Sequence, residues 1–218
     1  MNLDTHDFHP FRWGFSIESK GEGVSLINQV HGTHIVELKQ KPDHHLSEAL
    51  LGNADGIMTH LENTPISVVS ADCIPLLFFS EDASEPIVAI HAGWRGVKLG
   101  IIEKAVRLFK TLEELHVVIG PSIGSCCFKV REDFLSDWKQ AGIETSPFLI
   151  QESSLVRFDL LSYVLSKTLK GVFPSHIHLE SHRCTVCSSP ALPSFRRNKT
   201  ANPRIRSWIL KQSEIAIS

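Results

Sequence analysis

The stretch ISVVSADCIPLLFFS, Ile66–Ser80, combines a strand-like apolar run with a polar break in its middle. The residues on either side of the break are almost all apolar, which indicates a strand buried on both faces. Asp72 and Cys73 interrupt the run, and Pro75 follows them closely. Burying a carboxylate without a partner is costly, and proline cannot donate to a central ladder. The polar break is therefore unfavourable for folding, and core packing alone does not explain why it is there.

The composition is that of an ordinary globular protein, with 218 residues, 42% of them hydrophobic and 21% charged. A formal charge of −2 gives no overall attraction to nucleic acid or to an anionic membrane. No apolar run approaches the roughly 20 residues that span a bilayer, and the N-terminus lacks the basic and apolar segments of a signal peptide. The five cysteines, two of them adjacent, argue against a secreted disulfide framework. We therefore expect a cytoplasmic protein without nucleic-acid or membrane partners.

Strand and helix signals follow one another without an internal repeat or a Gly/Ser linker, so we expect one domain over residues 1–218. Short apolar runs with β-branched residues, bounded by Gly, Pro or polar turns, predict strands. These runs cover residues 24–38, 56–59, 66–79, 86–91, 116–122, 176–180 and 204–211. Apolar residues at helical spacing predict helices over 97–114 and 158–172, and a weaker pattern predicts one over 131–140. The predicted class is α/β, with strand-to-loop corners of the kind that carry catalytic groups.

Three corners share one form, in which an apolar run ends in a metal-binding or nucleophilic side chain followed by small residues. They hold His31 in NQVHG, Cys73 in SADC and His91 in VAIHAGWRG. Two imidazoles and a thiolate bind zinc well, and three protein ligands with one open position are the catalytic zinc arrangement. A thiolate beside imidazoles is equally compatible with a nucleophile and its base. The spacing does not decide between these and a plainer interpretation, a core cysteine with two strand-end histidines.

Glycines and arginines suggest where an anion would bind. In HAGWRG, Gly93 and Gly96 leave backbone N–H groups accessible ahead of a predicted helix, and Arg95 adds a planar set of donors. Such a combination suits phosphate, although an ordinary strand-to-helix turn has the same pattern. The basic segment SFRRNKTANPRIR contains Arg196 and Arg197. These two side chains would either help to hold an anionic substrate or form a solvated rim.

The remaining cysteines form two close pairs. Cys126 and Cys127 are adjacent and too close for an easy mutual disulfide, so we expect one, assigned to Cys127, to face a cavity and contact substrate. Cys184 and Cys187 have the CxxC spacing of redox or zinc sites. A second CxxC is missing, which argues against a zinc ribbon, and CTVCSSPALP does not have the pattern of a helix start. We therefore expect a structural role for this motif.

Seven motifs occur in a fixed order along the chain: NQVHG, ADGIMT, SADCIPLLF, AIHAGWRG, IGPSIGSCCFKV, FDL and CTVC…SFRRNK. In this order they resemble the YfiH, or laccase-domain, family, once labelled polyphenol oxidase. The resemblance covers the chain from about Val24 to the C-terminus. Two departures are visible, because Ile27 replaces the proline of PNQVHG and NKTANPR replaces an acidic, glycine-rich turn after SFRR.

The resemblance implies an α/β domain with mixed sheets packed between helices, a fold also likened to a bacterial toxin deamidase with a Cys–His pair. It implies a metal site, usually zinc with copper as an alternative, at His31, Cys73 and His91. It implies phosphate-dependent cleavage of purine nucleosides, namely inosine, guanosine, adenosine and methylthioadenosine, and adenosine deamination is described as well. Some members are instead credited with editing peptidoglycan precursors.

These motifs lead us to predict a zinc-dependent purine nucleoside phosphorylase, with purine nucleosides and phosphate as its partners. Cys73 and His91 would act at the reacting centre. Asp72 would orient the neighbouring Cys73, or it would simply cap a local turn. The break in the opening stretch would then be where the sheet delivers a ligand to a pocket, with regular pairing lapsing at Pro75.

Two other functions stay open. A Cys73–His91 amide hydrolase acting on cell-wall precursors is the alternative from another mechanistic class, and a non-enzymatic metal- or nucleoside-binding module is the third. Laccase-like copper oxidation is disfavoured, because a multicopper oxidase needs paired histidines around a trinuclear cluster. The chain has one HxH, formed by His176 and His178, and no histidine beside a cysteine.

Overall fold

The computed structural model describes residues 1–18, 26–42 and 51–213. An antiparallel four-stranded sheet contains, in order, β1 (Asn2–Phe8), β2 (Phe11–Glu18), β13 (Arg204–Lys211) and β5 (Ile66–Ser70). A mixed six-stranded sheet contains, in order, β12 (Ile177–His178), β8 (Leu115–Ile119), β6 (Ile74–Ser80), β7 (Ile87–Ala92), β4 (Gly56–Thr59) and β3 (Ile35–Glu37). A small antiparallel sheet contains, in order, β10 (Leu149–Glu152), β11 (Leu155–Phe158) and β9 (Lys129–Val130).

The helices of the described residues are short. They are α1 (Trp94–Lys98), α2 (Ile101–Val106), α3 (Glu132–Gln140), α4 (Leu160–Tyr163) and α5 (Phe195–Asn198). A π-helical turn follows α4 over Val164–Thr168, and 3-10 turns occupy Ser146–Phe148 and Pro174–His176. None of the helices in these ranges is long and apolar enough to cross a membrane. The α/β class predicted from the sequence is confirmed.

The central strand β6 is apolar throughout because both of its faces are buried. Leu76 and Phe78 pack into a core with α1, α2, α3 and α4. Leu77 and Phe79 point the other way, into a core shared with the four-stranded sheet. Side chains alternate between the faces of a strand, so two cores meet on one strand and its sequence becomes a continuous hydrophobic run.

The polar break in the opening stretch is where the chain passes from one sheet to another. Residues 71–73 form a turn between β5 in the four-stranded sheet and β6 in the six-stranded sheet. Asp72 has a φ of 104°, a left-handed conformation that costs a non-glycine residue about 1–3 kcal/mol. The prediction that pairing lapses at Pro75 is wrong. Pro75 is paired with His91 on β7, and its carbonyl accepts a hydrogen bond of 3.1 Å from the Gly120 N–H.

Two of the predicted helices are broken. Within 97–114, Gly100 adopts a φ of 87° and separates α1, which ends at Lys98, from α2, which ends at Val106. Residues 107–114 are not helical. In 158–172, the α-helix passes into the π-helical turn after Tyr163. Asp159 caps α4, since its carboxylate accepts a hydrogen bond of 3.0 Å from the Ser162 N–H. The weaker prediction over 131–140 corresponds to α3.

The strand predicted over 24–38 is mostly a loop. Residues 24 and 25 lie outside the described residues, and only Ile35–Glu37 form a strand, β3. Between Asn28 and β3, the chain turns away from the sheet and His31 takes a φ of 62°. This loop carries His31 towards the end of β7, where His91 lies.

Candidate active site

Three side chains predicted from separate corners converge at one end of the six-stranded sheet. His31 comes from the loop before β3, Cys73 from the turn before β6, and His91 from β7. Their ligand atoms all lie within 4.8 Å of one another. The two imidazole rings meet edge to face with centroids 4.8 Å apart. We call these three residues the His/Cys/His cluster.

A buried carboxylate, Asp55, holds two members of this cluster in place. It accepts hydrogen bonds from the backbone N–H groups of Val30, His31 and Gly32, at 3.2, 2.9 and 2.6 Å. It also accepts the Nδ1–H of His91 at 2.9 Å. Burial raises the pKa of Asp55, but the His91 and backbone hydrogen bonds outweigh it and the pKa falls below its usual value. One carboxylate therefore fixes the His31 loop and leaves Nε2 of His91 available to a ligand.

Asp55 was missed at the sequence level, although ADGIMT was one of the seven motifs. An aspartate before a glycine is the ordinary composition of a turn. The informative signal was its position immediately before the apolar strand β4, because a carboxylate that enters the core needs several donors. The fully buried Asp55 has four.

The charges of Cys73 and His91 stabilise each other. Burial raises the pKa of the Cys73 thiol, but the positive charge of His91 and hydrogen bonds from His31 and His91 lower it to about 6. Burial likewise lowers the pKa of His91, but the Cys73 thiolate and the Asp55 hydrogen bond raise it to about 9. At neutral pH the metal-free pair is therefore a thiolate beside an imidazolium.

The glycines of HAGWRG make room for this convergence. A Cβ atom on Gly93 would lie 2.9 Å from Cδ2 of His31 and 3.0 Å from Sγ of Cys73. A Cβ atom on Gly96 would lie 2.9 Å from the carbonyl oxygen of Gly32. Gly93, which we expected to bind phosphate, thus lies against the cluster itself, and it is not among the residues of the pocket wall.

The donor set of the His/Cys/His cluster fits a transition-metal ion. It supplies two imidazole nitrogens and one sulfur that is ionised near neutral pH. Asp55 fixes His91 so that one ring nitrogen faces the cluster, as carboxylates do behind metal-bound histidines. Imidazole and thiolate suit zinc and also copper. Three protein ligands leave a coordination position for a substrate or water.

The cluster opens into a cavity of about 440 Å³. Three aromatic side chains, Trp94, Phe128 and Phe195, and three arginines, Arg95, Arg196 and Arg204, line it. Arg95 lies over the Trp94 ring at 4.5 Å, and Arg196 lies 5.6 Å from the centre of the Phe128 ring. A cavity with flat apolar walls and several cations suits an aromatic molecule together with an anion.

The three arginines that we predicted to bind an anion do not all line the cavity. Arg95 and Arg196 line the cavity. Arg197 does not, because its guanidinium donates to the carbonyl oxygens of Thr185 and Val186, at 3.1 and 2.8 Å, and to that of Leu192. Its role is therefore to hold a loop. Arg204, which the sequence showed only as part of a basic segment, lines the cavity instead.

Asp72 acts through its neighbours. One carboxylate oxygen accepts a hydrogen bond of 2.6 Å from the hydroxyl of Thr185. The other accepts a hydrogen bond of 2.6 Å from the backbone N–H of Arg196. Its backbone carbonyl accepts a hydrogen bond of 2.9 Å from the Ile123 N–H. These contacts position the Cys73 turn and the start of α5 at the edge of the cavity.

Cys127 is not part of the cavity wall, contrary to the expectation that it contacts substrate. Its sulfur lies with those of Cys126, Cys184 and Cys187, and all four are within 4.8 Å of one another. We call these four residues the four-cysteine cluster. Spacing could not reveal it, because one pair is adjacent and the other is a CxxC far along the chain.

The sequence is similar to those of several known proteins. The model of the family described as multi-copper polyphenol oxidoreductase laccase matches residues 13–212. A purine nucleoside phosphorylase of Aquifex aeolicus is 30% identical over 191 residues, covering 87% of this chain and 84% of that protein. An adenosine deaminase, RL5, of an unknown prokaryotic organism is 28% identical over 157 residues, covering 69% of this chain and 59% of that protein.

The fold has a solved counterpart. The crystal structure of YlmD from Geobacillus stearothermophilus matches with a TM-score of 0.75 and 22% identity, covering 94% of this chain and 93% of that one. This likeness concerns the fold, whereas the family model covers nearly the whole sequence. The chain therefore belongs to the laccase-domain, or YfiH, family.

Proposed function

We propose that this chain is a zinc-dependent purine nucleoside phosphorylase of the cytoplasm, made of one domain over residues 1–218. Its substrates would be inosine, guanosine, adenosine and methylthioadenosine, with adenosine deamination as a further activity of the same site. The observation that carries the proposal is the opening of the His/Cys/His cluster into a cavity with three aromatic and three arginine side chains. The relative named purine nucleoside phosphorylase supports it.

Phosphorolysis needs two groups held on one ribose. An oxygen of hydrogen phosphate forms a bond to C1′ while the bond from C1′ to the purine nitrogen breaks. The leaving nitrogen takes the bonding electrons and a proton, which the hydrogen phosphate gives up, so the products are ribose 1-phosphate and the free purine. The enzyme must therefore bind a dianion on one side of the ribose and a flat base on the other.

The arginines would hold the phosphate. Arg95, Arg196 and Arg204 all line the cavity. The backbone N–H of Arg196 donates to the Asp72 carboxylate, which fixes this end of α5. Arginine retains its charge at any physiological pH and matches phosphate with paired N–H donors. Placing the dianion next to the ribose lowers the entropic cost of the reaction.

The aromatic side chains would hold the purine. Trp94, Phe128 and Phe195 offer flat apolar surface on the cavity wall, against which a purine ring can stack. A metal ion bound at the His/Cys/His cluster would supply Lewis acidity next to this base and ribose. Asp55 would keep His91 in one orientation and would hold the His31 loop, so the ligands stay fixed during turnover.

The test is direct product identification. Purified protein would be incubated with inosine, guanosine, adenosine and methylthioadenosine, each with and without phosphate, and the bases and sugars separated by chromatography. We expect free purine and ribose 1-phosphate (or its methylthio analogue) only when phosphate is present, and loss of both after chelation. Inosine formed from adenosine without phosphate would identify the deamination. Absence of turnover with all four nucleosides would refute the proposal.

A second candidate is favoured by the charges of Cys73 and His91. A thiolate beside an imidazolium, with Asp55 behind the histidine, is the constellation of cysteine hydrolases. Such a site would attack an amide of a peptidoglycan precursor, with His91 giving its proton to the leaving amine. A chloroacetamide analogue of the precursor would then alkylate Cys73 with or without phosphate. The phosphorylase predicts instead that bound zinc protects Cys73 from this reagent.

A further inference from the structure

The four-cysteine cluster is a second place where metal-binding side chains converge. Cys126 and Cys127 lie in the turn after β8, and Cys184 and Cys187 lie in a turn after β12. All four sulfurs are within 4.8 Å of one another, and those of Cys126 and Cys187 are 3.5 Å apart. Four sulfurs around one zinc ion at about 2.3 Å are separated by about 3.8 Å. The cluster therefore already has nearly the size of a tetrahedral thiolate site.

The backbone around this cluster favours a thiolate at Cys184. The Gly124 N–H donates to Sγ of Cys184 at 3.3 Å, and the N–H groups of Val186 and Cys187 also point to this sulfur. N–H donors stabilise a charged sulfur and are a normal part of metal–thiolate sites. The Arg157 side chain adds a positive charge near Cys126 and Cys127. Gly124 also leaves space, since a Cβ there would lie 3.2 Å from Sγ of Cys126.

We propose that Cys126, Cys127, Cys184 and Cys187 bind a second zinc ion as a closed structural site. Four thiolates fill all positions of tetrahedral zinc, so this ion has no open position for a substrate. On binding, each sulfur forms a bond to zinc and its proton passes to solvent, without any oxidation or reduction. Two of the cysteines, Cys126 and Cys187, are exposed, so the ion can enter from the surface. The inference does not depend on the phosphorylase activity.

The site would fix one wall of the cavity. Inside the CxxC turn, Thr185 donates its hydroxyl to Asp72, next to Cys73. The carbonyl oxygens of Thr185 and Val186 accept hydrogen bonds from Arg197, which is in α5 beside Arg196. A single ion would thus tie the turn after β8, the CxxC turn and α5 together.

Metal analysis of two matched variants tests the proposal without any activity assay. Cys73→Ser removes a ligand of the His/Cys/His cluster, whereas the double variant C126S/C187S removes two ligands of the four-cysteine cluster. The full chain would be purified with a thiol reductant, loaded with zinc, and desalted. Native mass spectrometry would give the zinc count, and X-ray absorption at the zinc edge would give the ligand atoms.

We expect Cys73→Ser to keep one zinc surrounded by four sulfur atoms, and C126S/C187S to lose that ion. Because C126S/C187S could fail to fold, the Cys73→Ser spectrum alone decides the question. The proposal is overturned if Cys73→Ser holds no zinc, if its zinc has nitrogen or oxygen ligands, or if its intact mass shows a disulfide under the same reducing conditions. The phosphorylase proposal would survive each of these results.

Discussion

The two clusters for which we propose metal binding differ in what they leave open. The His/Cys/His cluster has three ligands and lies at a cavity of about 440 Å³. The four-cysteine cluster has four ligands, and none of its residues lines that cavity. Catalytic zinc sites keep a position for water or substrate, whereas structural sites are closed. The number of ligands, more than the kind of metal, therefore distinguishes a site for chemistry from a site for stability.

The supports behind the two clusters differ as well. A single buried carboxylate, Asp55, orients His91 and the His31 loop. Backbone N–H groups, by contrast, surround Cys184. A carboxylate raises the basicity of a histidine ligand and fixes its ring, and backbone donors stabilise a thiolate without adding charge. In the two proposed sites, the first support would tune reactivity and the second would maintain the shape of the site.

The largest effect is expected from His91→Ala, which would break the open cluster. It removes a metal ligand and leaves the buried Asp55 without its imidazole partner. We expect phosphorolysis of inosine to fall to background, a loss greater than about 100-fold. Release of hypoxanthine at saturating phosphate is the measurement. His60→Ala, a change in a histidine outside the cavity wall, is the control and should leave turnover unchanged.

The next largest effect is expected in thiol reactivity, which should depend on pH differently for Cys73 and for Cys127. In metal-free protein the pKa of Cys73 is lowered to about 6, so its thiolate persists on acidification down to about pH 6. Burial and the neighbouring thiols raise the pKa of Cys127 to about 11. At pH 7 iodoacetamide should therefore modify Cys73 far faster than Cys127. Peptide mass spectrometry at successive times would measure the two rates. A Cys73 rate that rises only above pH 8 would contradict the thiolate–imidazolium pair.

A smaller effect is expected from Asp55→Asn, which keeps the shape of the support but removes its charge. Loss of a carboxylate behind a histidine ligand typically lowers metal affinity or activity by about 10–100-fold. The measurement is zinc affinity by competition with a chelator, together with kcat/KM. Asp137→Asn is the matched control, because Asp137 is partly exposed and pairs with Lys98, and neither residue lines the cavity. Equal effects of the two substitutions would show that Asp55 has no special role.

The smallest effect should come from stripping the four-cysteine cluster in C184S/C187S. Zinc at a free concentration of 100 times its Kd raises the free energy of unfolding by about 2.7 kcal/mol. For a chain of this size, that corresponds to a rise of roughly 5–10 °C in Tm. C184S/C187S keeps only the His/Cys/His cluster, so we expect zinc to raise the wild-type Tm by more than the C184S/C187S Tm, with a difference of about this size. Cys73→Ser serves as the comparison and should still respond. An equal zinc response in C184S/C187S would disprove the structural site.

The open cluster could be anticipated from the sequence because each ligand ends an apolar run. His31, Cys73 and His91 stand where strands meet small residues, and their pattern was visible within a few residues. Asp55 was not assigned because its role depends on four donors from two distant places in the chain, Val30–Gly32 and His91. Local composition could not distinguish such an aspartate from a turn residue.

The four-cysteine cluster and strand β1 needed the tertiary structure. The two cysteine pairs meet because Ser122 and Cys184 form a parallel bridge, a pairing without a local sequence signal. β1 was not predicted because it is an edge strand with mostly polar, part-exposed residues. The helix predicted over 97–114 breaks at Gly100, where a periodic pattern continues across a left-handed residue.

The contrast between an open, catalytic site and a closed, structural site is tested most directly by ribose 1-phosphate formation in two variants. Phosphorus NMR would follow inosine and phosphate with Cys73→Ser and with C184S/C187S, each normalised to folded protein by circular dichroism at a temperature below both Tm values. We predict no ribose 1-phosphate from Cys73→Ser, and turnover by C184S/C187S with kcat retained and the KM for phosphate raised. Ribose 1-phosphate from Cys73→Ser at the wild-type rate would contradict the account.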